Sequence, residues 1–125
     1  MATTLAPTPT TATIAPEFLL QRQGRTMVLY AGLLDAAHRT AGLKCIRTTL
    51  LQAPSDANGQ TCIVGAEATT EDGRTFCGIG DASPQNVGPK IAPHAVRMAE
   101  TRAKARCLRD LLNVGGYCSV EELND

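Results

Sequence analysis

The chain has very few aromatic residues. Among its 125 residues only 3% are aromatic, and tryptophan is absent. The core must therefore consist of Leu, Ile, Val, Ala and Cys, whose small size favours close packing between elements. A chain of this length forms one domain, and contacts between subunits would add burial that so thin a core lacks. We therefore expect a one-domain protein that forms homo-oligomers.

The chain also has no net charge. Its 12 Lys and Arg residues balance 12 Asp and Glu residues, which argues against a surface that binds polyanions everywhere. Charge can nevertheless be segregated. Residues 90–110 contain six basic residues and two acidic ones, whereas the C-terminal end carries Glu121, Glu122 and Asp125. This distribution predicts a single basic region.

The five cysteines are scattered singly, without a C-x-x-C pair, and there are only two histidines. Zinc ligands usually come in close pairs, so we predict no metal site. An odd number of single cysteines is typical of reduced, buried thiols. We expect a cytoplasmic protein, nucleoid-associated if bacterial, that needs no cofactor.

Long apolar runs are missing as well. No stretch is long enough to span a membrane, and residues 1–16 lack the basic start and apolar run of a signal peptide. That segment is rich in Thr, Ala and Pro, which is typical of disorder. We therefore predict a disordered tail at 1–17, one domain at 18–118 and a short acidic tail at 119–125.

The motifs of common enzyme classes are absent. The chain has no phosphate loop, no H-E-x-x-H zinc motif and no G-x-S-x-G nucleophile motif. Gly78-Ile79-Gly80 is part of a dinucleotide fingerprint, but no helix is predicted directly after it. His94 stands alone, without a nucleophile in view. We predict that the protein is not an enzyme.

The strongest positive signal is a helix over residues 93–113, PHAVRMAETRAKARCLRDLLN. Ala, Leu, Met, Arg and Lys favour helix, and no Gly or Pro interrupts the run after Pro93. Before it, an apolar pattern predicts a helix over 27–40. Alternating β-branched and turn residues predict strands over 44–52, 61–70 and 75–79, with a hairpin turn at Asp72-Gly73. The predicted fold is α+β, an α-β-β-β-α core with a three-stranded antiparallel meander packed against a long basic helix.

Three arginines form a row on the long helix. At about 100° per residue, Arg102, Arg106 and Arg109 fall within roughly 60° of one another. Ala95, Met98 and Ala99 continue this side towards the N-terminus, and such small side chains would let a long polymer approach the backbone. Guanidinium groups in a row repel one another unless an anion lies along them, and arginine suits bidentate phosphate contacts. A solvated basic face is the competing interpretation.

The order of elements and several short motifs resemble the Rad fifty-two-like single-strand annealing proteins of homologous recombination and DNA repair. The resemblance covers residues 24–116. It rests on the Asp72-Gly73 turn, on the glycine-containing strand exit 78–80, and on the helix sequence ETRAKARCLRD, which ends in Asn113-Val-Gly. The chain departs from the better-known eukaryotic members in lacking their aromatic residues and their adjacent Lys-Arg pair.

The resemblance implies which residues bind DNA. Arg106 and Arg109 match helix arginines that line a groove for single-stranded DNA in that family, and Arg102 and Lys104 are their neighbours. A further basic contact in the family corresponds to Arg22 and Arg25, which lie just before the first helix. The implied protein is a ring or arc of subunits, with recombination or single-strand-binding proteins as possible partners and no membrane partner.

In the implied mechanism, the basic groove holds backbone phosphates irrespective of sequence and leaves the bases free to pair with a complementary strand. Two other interpretations stay open. The order α-β-β-β-α is also that of the double-stranded RNA-binding domain. In an adaptor or assembly protein, by contrast, the arginines would pair with acidic residues of a neighbouring subunit.

Overall fold

The fold is described by a computed structural model that covers residues 14–89, 92–114 and 118–122. These residues form two helices and two three-stranded sheets, which confirms the predicted mixed α+β class. The strands are β1 (Leu19–Arg22), β2 (Arg25–Val28), β3 (Leu43–Gln52), β4 (Cys62–Thr70), β5 (Thr75–Ala82) and β6 (Cys118–Ser119). The helices are α1 (Tyr30–Thr40) and α2 (Ala95–Leu112), and single 3-10 turns occupy Pro16–Phe18, Asp56–Asn58, Ala92–His94 and Val120–Glu122.

The larger sheet has the order β3-β4-β5, with both pairs antiparallel. Its strands lie where the alternating segments predict them, and β5 continues beyond the predicted end to Ala82. The turn between β4 and β5 contains Gly73 at a φ of 90°, a conformation that glycine adopts without strain. The Thr70 hydroxyl donates a hydrogen bond to the carboxylate of Asp72, which steadies the same turn.

The smaller sheet was not predicted. It has the order β1-β2-β6, in which β1 and β2 form a hairpin and β6 adds in parallel to β2. The hairpin turn consists of Gln23 and Gly24, at φ values of 55° and 76°, and two positive φ values match the twist of the flanking strands. As a consequence, the first helix begins at Tyr30 and not at the predicted Met27.

Helix α2 lies against β5 at a very short distance because two glycines face it. A Cβ atom added to Gly78 would lie 2.6 Å from the backbone nitrogen of Cys107. One added to Gly80 would overlap the backbone of Ala103 and the carbonyl oxygen of Ala99. The strand exit Gly78-Ile79-Gly80 is thus the place where the helix docks, and the small residues of α2 serve that contact.

Helix α2 is a core element. It packs on β4 and β5 on one side and on α1 on another, and the turn Val120–Glu122 also contacts it. Ala99, Ala103, Ala105, Cys107 and Leu108 are each fully buried. The side of α2 with Ala95, Met98 and Ala99 was predicted to let a polymer approach the helix backbone. Ala99 is instead buried against β5, so a polymer cannot reach the backbone there.

The structure describes some residues of both predicted tails. Residues 1–13 of the predicted N-terminal tail lie outside the described residues, but Ile14 is buried and Pro16–Phe18 forms a helical turn. In the predicted acidic tail, Ser119 is buried within β6, and residues 123–125 lie outside the described part. Among the described residues, no helix is long and apolar enough to cross a membrane.

Candidate functional site

The candidate site is the arginine row of α2, which we define as Arg102, Arg106 and Arg109. The docking of α2 on Gly78 and Gly80 carries this side of the helix past the edge strand β5. Two of the three arginines donate hydrogen bonds to carbonyl oxygens of β5. Oxygen atoms of the chain itself therefore supply part of the negative charge that a row of guanidinium groups requires.

Arg102 is buried, with only 3% of its surface exposed. Its Nε donates to the carbonyl oxygen of Glu121 at 2.8 Å, and its Nη1 donates to the carbonyl oxygen of Asp81 at 2.9 Å. The same guanidinium donates to the side-chain and main-chain oxygens of Asn86, both at 3.0 Å. Burial lowers the pKa of Arg102 from its ordinary value, although it remains a cation at any physiological pH. Arg102 therefore joins the loop after β5 to the C-terminal segment.

Arg106 lies one turn further along α2 and is more open, with 38% of its side chain exposed. Its Nε and Nη2 donate to the two carboxylate oxygens of Glu122 at 2.9 and 2.6 Å, a bidentate pair. Its Nη1 donates to the carbonyl oxygen of Ile79 at 2.8 Å and lies 3.5 Å from Asp81 Oδ1. The hydrogen bonds that Arg106 donates to Glu122 raise the pKa of this arginine. The guanidinium is thus held on β5 and presents its other edge to an anion.

Arg109 and Lys104 differ from these two. Arg109 is half-buried in the last turn of α2, just before the left-handed C-cap residue Asn113. Lys104 is half-buried on the side of the helix that faces α1, where its ammonium lies 5.9 Å from the ring centre of Tyr30. Lys104 therefore does not lie beside the arginine row, although it is its neighbour in sequence.

Arg22 and Arg25 lie together at another place. They are partners across the β1–β2 hairpin, directly beside its two-residue turn, and both are exposed. Two like charges opposite each other on a hairpin repel, so this tip favours an anion nearby. We name these two residues the hairpin tip.

No protein-family model matches the chain, and no curated protein sequence shows significant similarity to it. The interpretation of the site therefore depends on its own geometry.

Within residues 14–89, 92–114 and 118–122, no group of His, Cys, Asp and Glu could hold a metal ion. Burial raises the pKa of the Cys107 thiol to about 11, so this cysteine is protonated at neutral pH and a poor nucleophile.

The sequence did not reveal the acidic side of the site. Glu121 and Glu122 were assigned to a short acidic tail, whereas their carboxylates contact α1 and α2. The Glu121 carboxylate accepts hydrogen bonds from the backbone nitrogen of Tyr30 at 3.1 Å and from the Ser119 hydroxyl at 2.6 Å. It therefore caps the N-terminus of α1, while Glu122 is bound to Arg106. The segregation of charge between the basic helix and the acidic C-terminal end was the available signal for this contact. The contact itself depends on β6, which is only two residues long.

Proposed function

We propose that the protein binds single-stranded DNA irrespective of sequence and anneals complementary strands as a homo-oligomer, in homologous recombination or DNA repair. The observation that carries this proposal is the guanidinium of Arg106. It is partly exposed, it is fixed by the carbonyl oxygen of Ile79, and it already holds a carboxylate through two parallel hydrogen bonds. A backbone phosphate offers the same two acceptors to such a fork.

The motifs that carry the resemblance to single-strand annealing proteins also support the proposal. The glycines of the strand exit and the small residues of the helix motif meet in the contact between β5 and α2. We propose that the meander β3-β4-β5 with α2 corresponds to the core of that family. In that case the arginine row lies beside the family's DNA groove, with Arg106 and Arg109 as the main contacts. Arg102 would then stabilise the groove without contacting the strand, because it is buried.

The hairpin tip provides a second cationic point for an extended strand. Arg22 and Arg25 are exposed on a separate element from Arg106, as expected for a ligand that is long and uniformly charged. We propose that they contact phosphates of the same strand or of a strand that crosses from a neighbouring subunit. Lys104, which lies beside Tyr30, contributes through its charge and not by direct contact.

The larger sheet supports assembly into a ring or arc. Its face away from α2 exposes Leu51 by 55% and Ile79 by 60%, and β3 is an edge strand. Exposed apolar residues next to an unpaired strand edge favour contact with another chain. Adjacent subunits would extend the row of cations, so that one strand contacts several copies of Arg106.

The proposed mechanism needs no covalent step and no cofactor. Arginines hold the phosphates and reduce the repulsion between two strands, while the bases stay free to pair. Lowering that repulsion over several subunits brings complementary segments together. Partner proteins of recombination, or single-strand-binding proteins, would deliver the strands.

The test is a set of binding measurements with a labelled thymidine 30-mer, duplex DNA and duplex RNA, each over a salt series. We expect the single strand to bind best, with an affinity that falls steeply as salt rises. Arg106→Gln should weaken binding and reduce the slope of log affinity against log salt by about 0.7, the value for one phosphate contact on a single strand. Together with Arg109→Gln it should abolish annealing of complementary oligonucleotides.

Arg39→Gln is the matched control, because Arg39 is an exposed arginine bound to Asp35 on α1, a different helix from that of the row. It removes the same charge and should leave binding nearly unchanged. A preference for duplex RNA would instead support an RNA-binding module, and no binding to any of the three would support an adaptor. A strictly monomeric protein by light scattering would contradict the ring or arc.

A further inference from the structure

The arginine row faces acidic residues of its own chain. After β6 pairs with β2, the turn Val120–Glu122 places two consecutive glutamates near α2. Glu121 is used by the fold, since its carboxylate caps α1 and accepts from Ser119, while its carbonyl oxygen accepts from Arg102. Glu122 has a different environment, because its carboxylate accepts its hydrogen bonds from Arg106.

The Glu122 carboxylate occupies the part of Arg106 that would bind a phosphate. Both carboxylate oxygens face the Nε and Nη2 edge of the guanidinium, at 2.9 and 2.6 Å, and 13% of the Glu122 side chain is exposed. Carboxylate and phosphate share this bidentate geometry, so the two anions exclude each other at one arginine. Arg106 would keep its place after Glu122 leaves, because Ile79 holds Nη1 independently.

We propose that Glu122 is a built-in competitor at the DNA site, which a phosphate must displace from Arg106 before the strand is bound. This inference rests on the proposed function and adds a regulatory element to it. A single phosphate competes poorly with a carboxylate tethered next to its arginine, because the tether gives the carboxylate a high effective concentration. A strand with many phosphates overcomes this advantage by binding several subunits. The site therefore selects long strands over free nucleotides.

Glu122→Gln tests the proposal, since it removes the charge but keeps the shape of the side chain. We expect this variant to bind the labelled thymidine 30-mer about threefold to tenfold more tightly than wild type, as for loss of one competing ion pair. Asp35→Asn is the matched control, because it gives the same change of net charge and removes the carboxylate that Arg39 contacts at 2.8 Å. It should change the affinity less than about twofold.

A double-mutant cycle assigns the effect to the pair. If Glu122 acts by occupying Arg106, the gain from Glu122→Gln disappears in the Arg106→Gln background. A gain that persists there would mean a general charge effect and would overturn the proposal. Unfolding of Glu122→Gln, followed by circular dichroism, would show that Glu122 is a structural residue and would overturn it too.

A second probe, inorganic tripolyphosphate, separates this inference from the proposed function. Equal binding of the 30-mer by wild type and Glu122→Gln would overturn the competitor role and leave DNA binding intact. If neither protein binds the 30-mer but Glu122→Gln alone is stabilised by tripolyphosphate, the competitor role holds and the DNA function fails. If neither protein responds to either probe, both proposals are wrong.

Discussion

Arg102 and Arg106 lie one turn apart on the same side of α2, but their surroundings differ. Arg102 is 3% exposed and donates to main-chain and amide oxygens, whereas 38% of the Arg106 side chain is exposed and the fork holds a carboxylate. Burial lowers the pKa of Arg102, and the hydrogen bonds that Arg106 donates to Glu122 raise the pKa of Arg106. A row of equal charges on one helix can therefore combine a structural residue with an anion-binding residue.

The largest effect is expected from Arg102→Met. This substitution leaves the carbonyl oxygens of Asp81, Asn86 and Glu121 without their guanidinium donor in a buried place. We expect the free energy of unfolding in urea to fall by about 3–5 kcal/mol. Arg106→Gln, measured alongside, should cost less, about 1 kcal/mol, because 38% of its side chain is exposed to water. Equal losses for the two variants would remove the distinction between the two arginines.

The next effect concerns the contact that positions both arginines. Gly80→Ala adds a methyl group where the backbone of Ala103 and the carbonyl oxygen of Ala99 already lie. Because backbone atoms cannot move aside, α2 must shift away from β5, and we expect a loss of about 2–3 kcal/mol in the same urea experiment.

Gly65→Ala, on the opposite face of the sheet, is the control for Gly80→Ala. There the added carbon meets only the end of the Leu51 side chain, at 3.3 Å, which can rotate. Its cost should stay below about 1 kcal/mol. Were the two alanine variants equally stable, the close docking of α2 on β5 would be wrong.

Much of this fold follows from local sequence. The strands β3, β4 and β5 are predicted by alternation and by the Asp72-Gly73 turn, and α2 is predicted by its helix-forming residues. The pairing of β2 with β6 in the smaller sheet could not be predicted, because β6 is a two-residue strand about ninety positions away in sequence. Without that partner, the pattern from Met27 onward is equally compatible with a helix.

The side of the helix on which each arginine lies was predictable from the sequence, but the burial of each arginine was not. The helical wheel correctly groups Arg102, Arg106 and Arg109 on one side, since that grouping depends only on helix geometry. Whether a side chain is exposed depends on what packs against it, and here the covering element is the turn Val120–Glu122. No local pattern indicates that an acidic segment folds back onto a basic helix.

A smaller effect is expected at Glu121 and Glu122, which differ in the same way as Arg102 and Arg106. Glu121 is used by the fold, whereas Glu122 binds the partly exposed Arg106. Glu121→Gln removes a negative charge from the N-terminus of α1, where the carboxylate accepts from the Tyr30 nitrogen. A favourable charge and cap at this position contribute about 1 kcal/mol, which we expect this variant to lose in thermal or urea unfolding. Glu122→Gln should be nearly neutral in the same measurement. A larger loss of stability for Glu122→Gln than for Glu121→Gln would mean that Glu122, and not Glu121, supports the fold.

The smallest effect concerns salt. The Arg106–Glu122 pair is partly exposed, so dissolved ions screen it, whereas the buried bonds of Arg102 are shielded from them. As salt rises from 0.1 to 1 M, the screening length falls from about 10 to about 3 Å, and the cost of Arg106→Gln should fall to roughly half its low-salt value. The cost of Arg102→Met should fall less over the same series, since the guanidinium donates buried hydrogen bonds to uncharged main-chain and amide oxygens at 2.8 to 3.0 Å. A parallel decline for both variants would mean that Arg102 also acts mainly through charge, and that the two arginines differ only in degree.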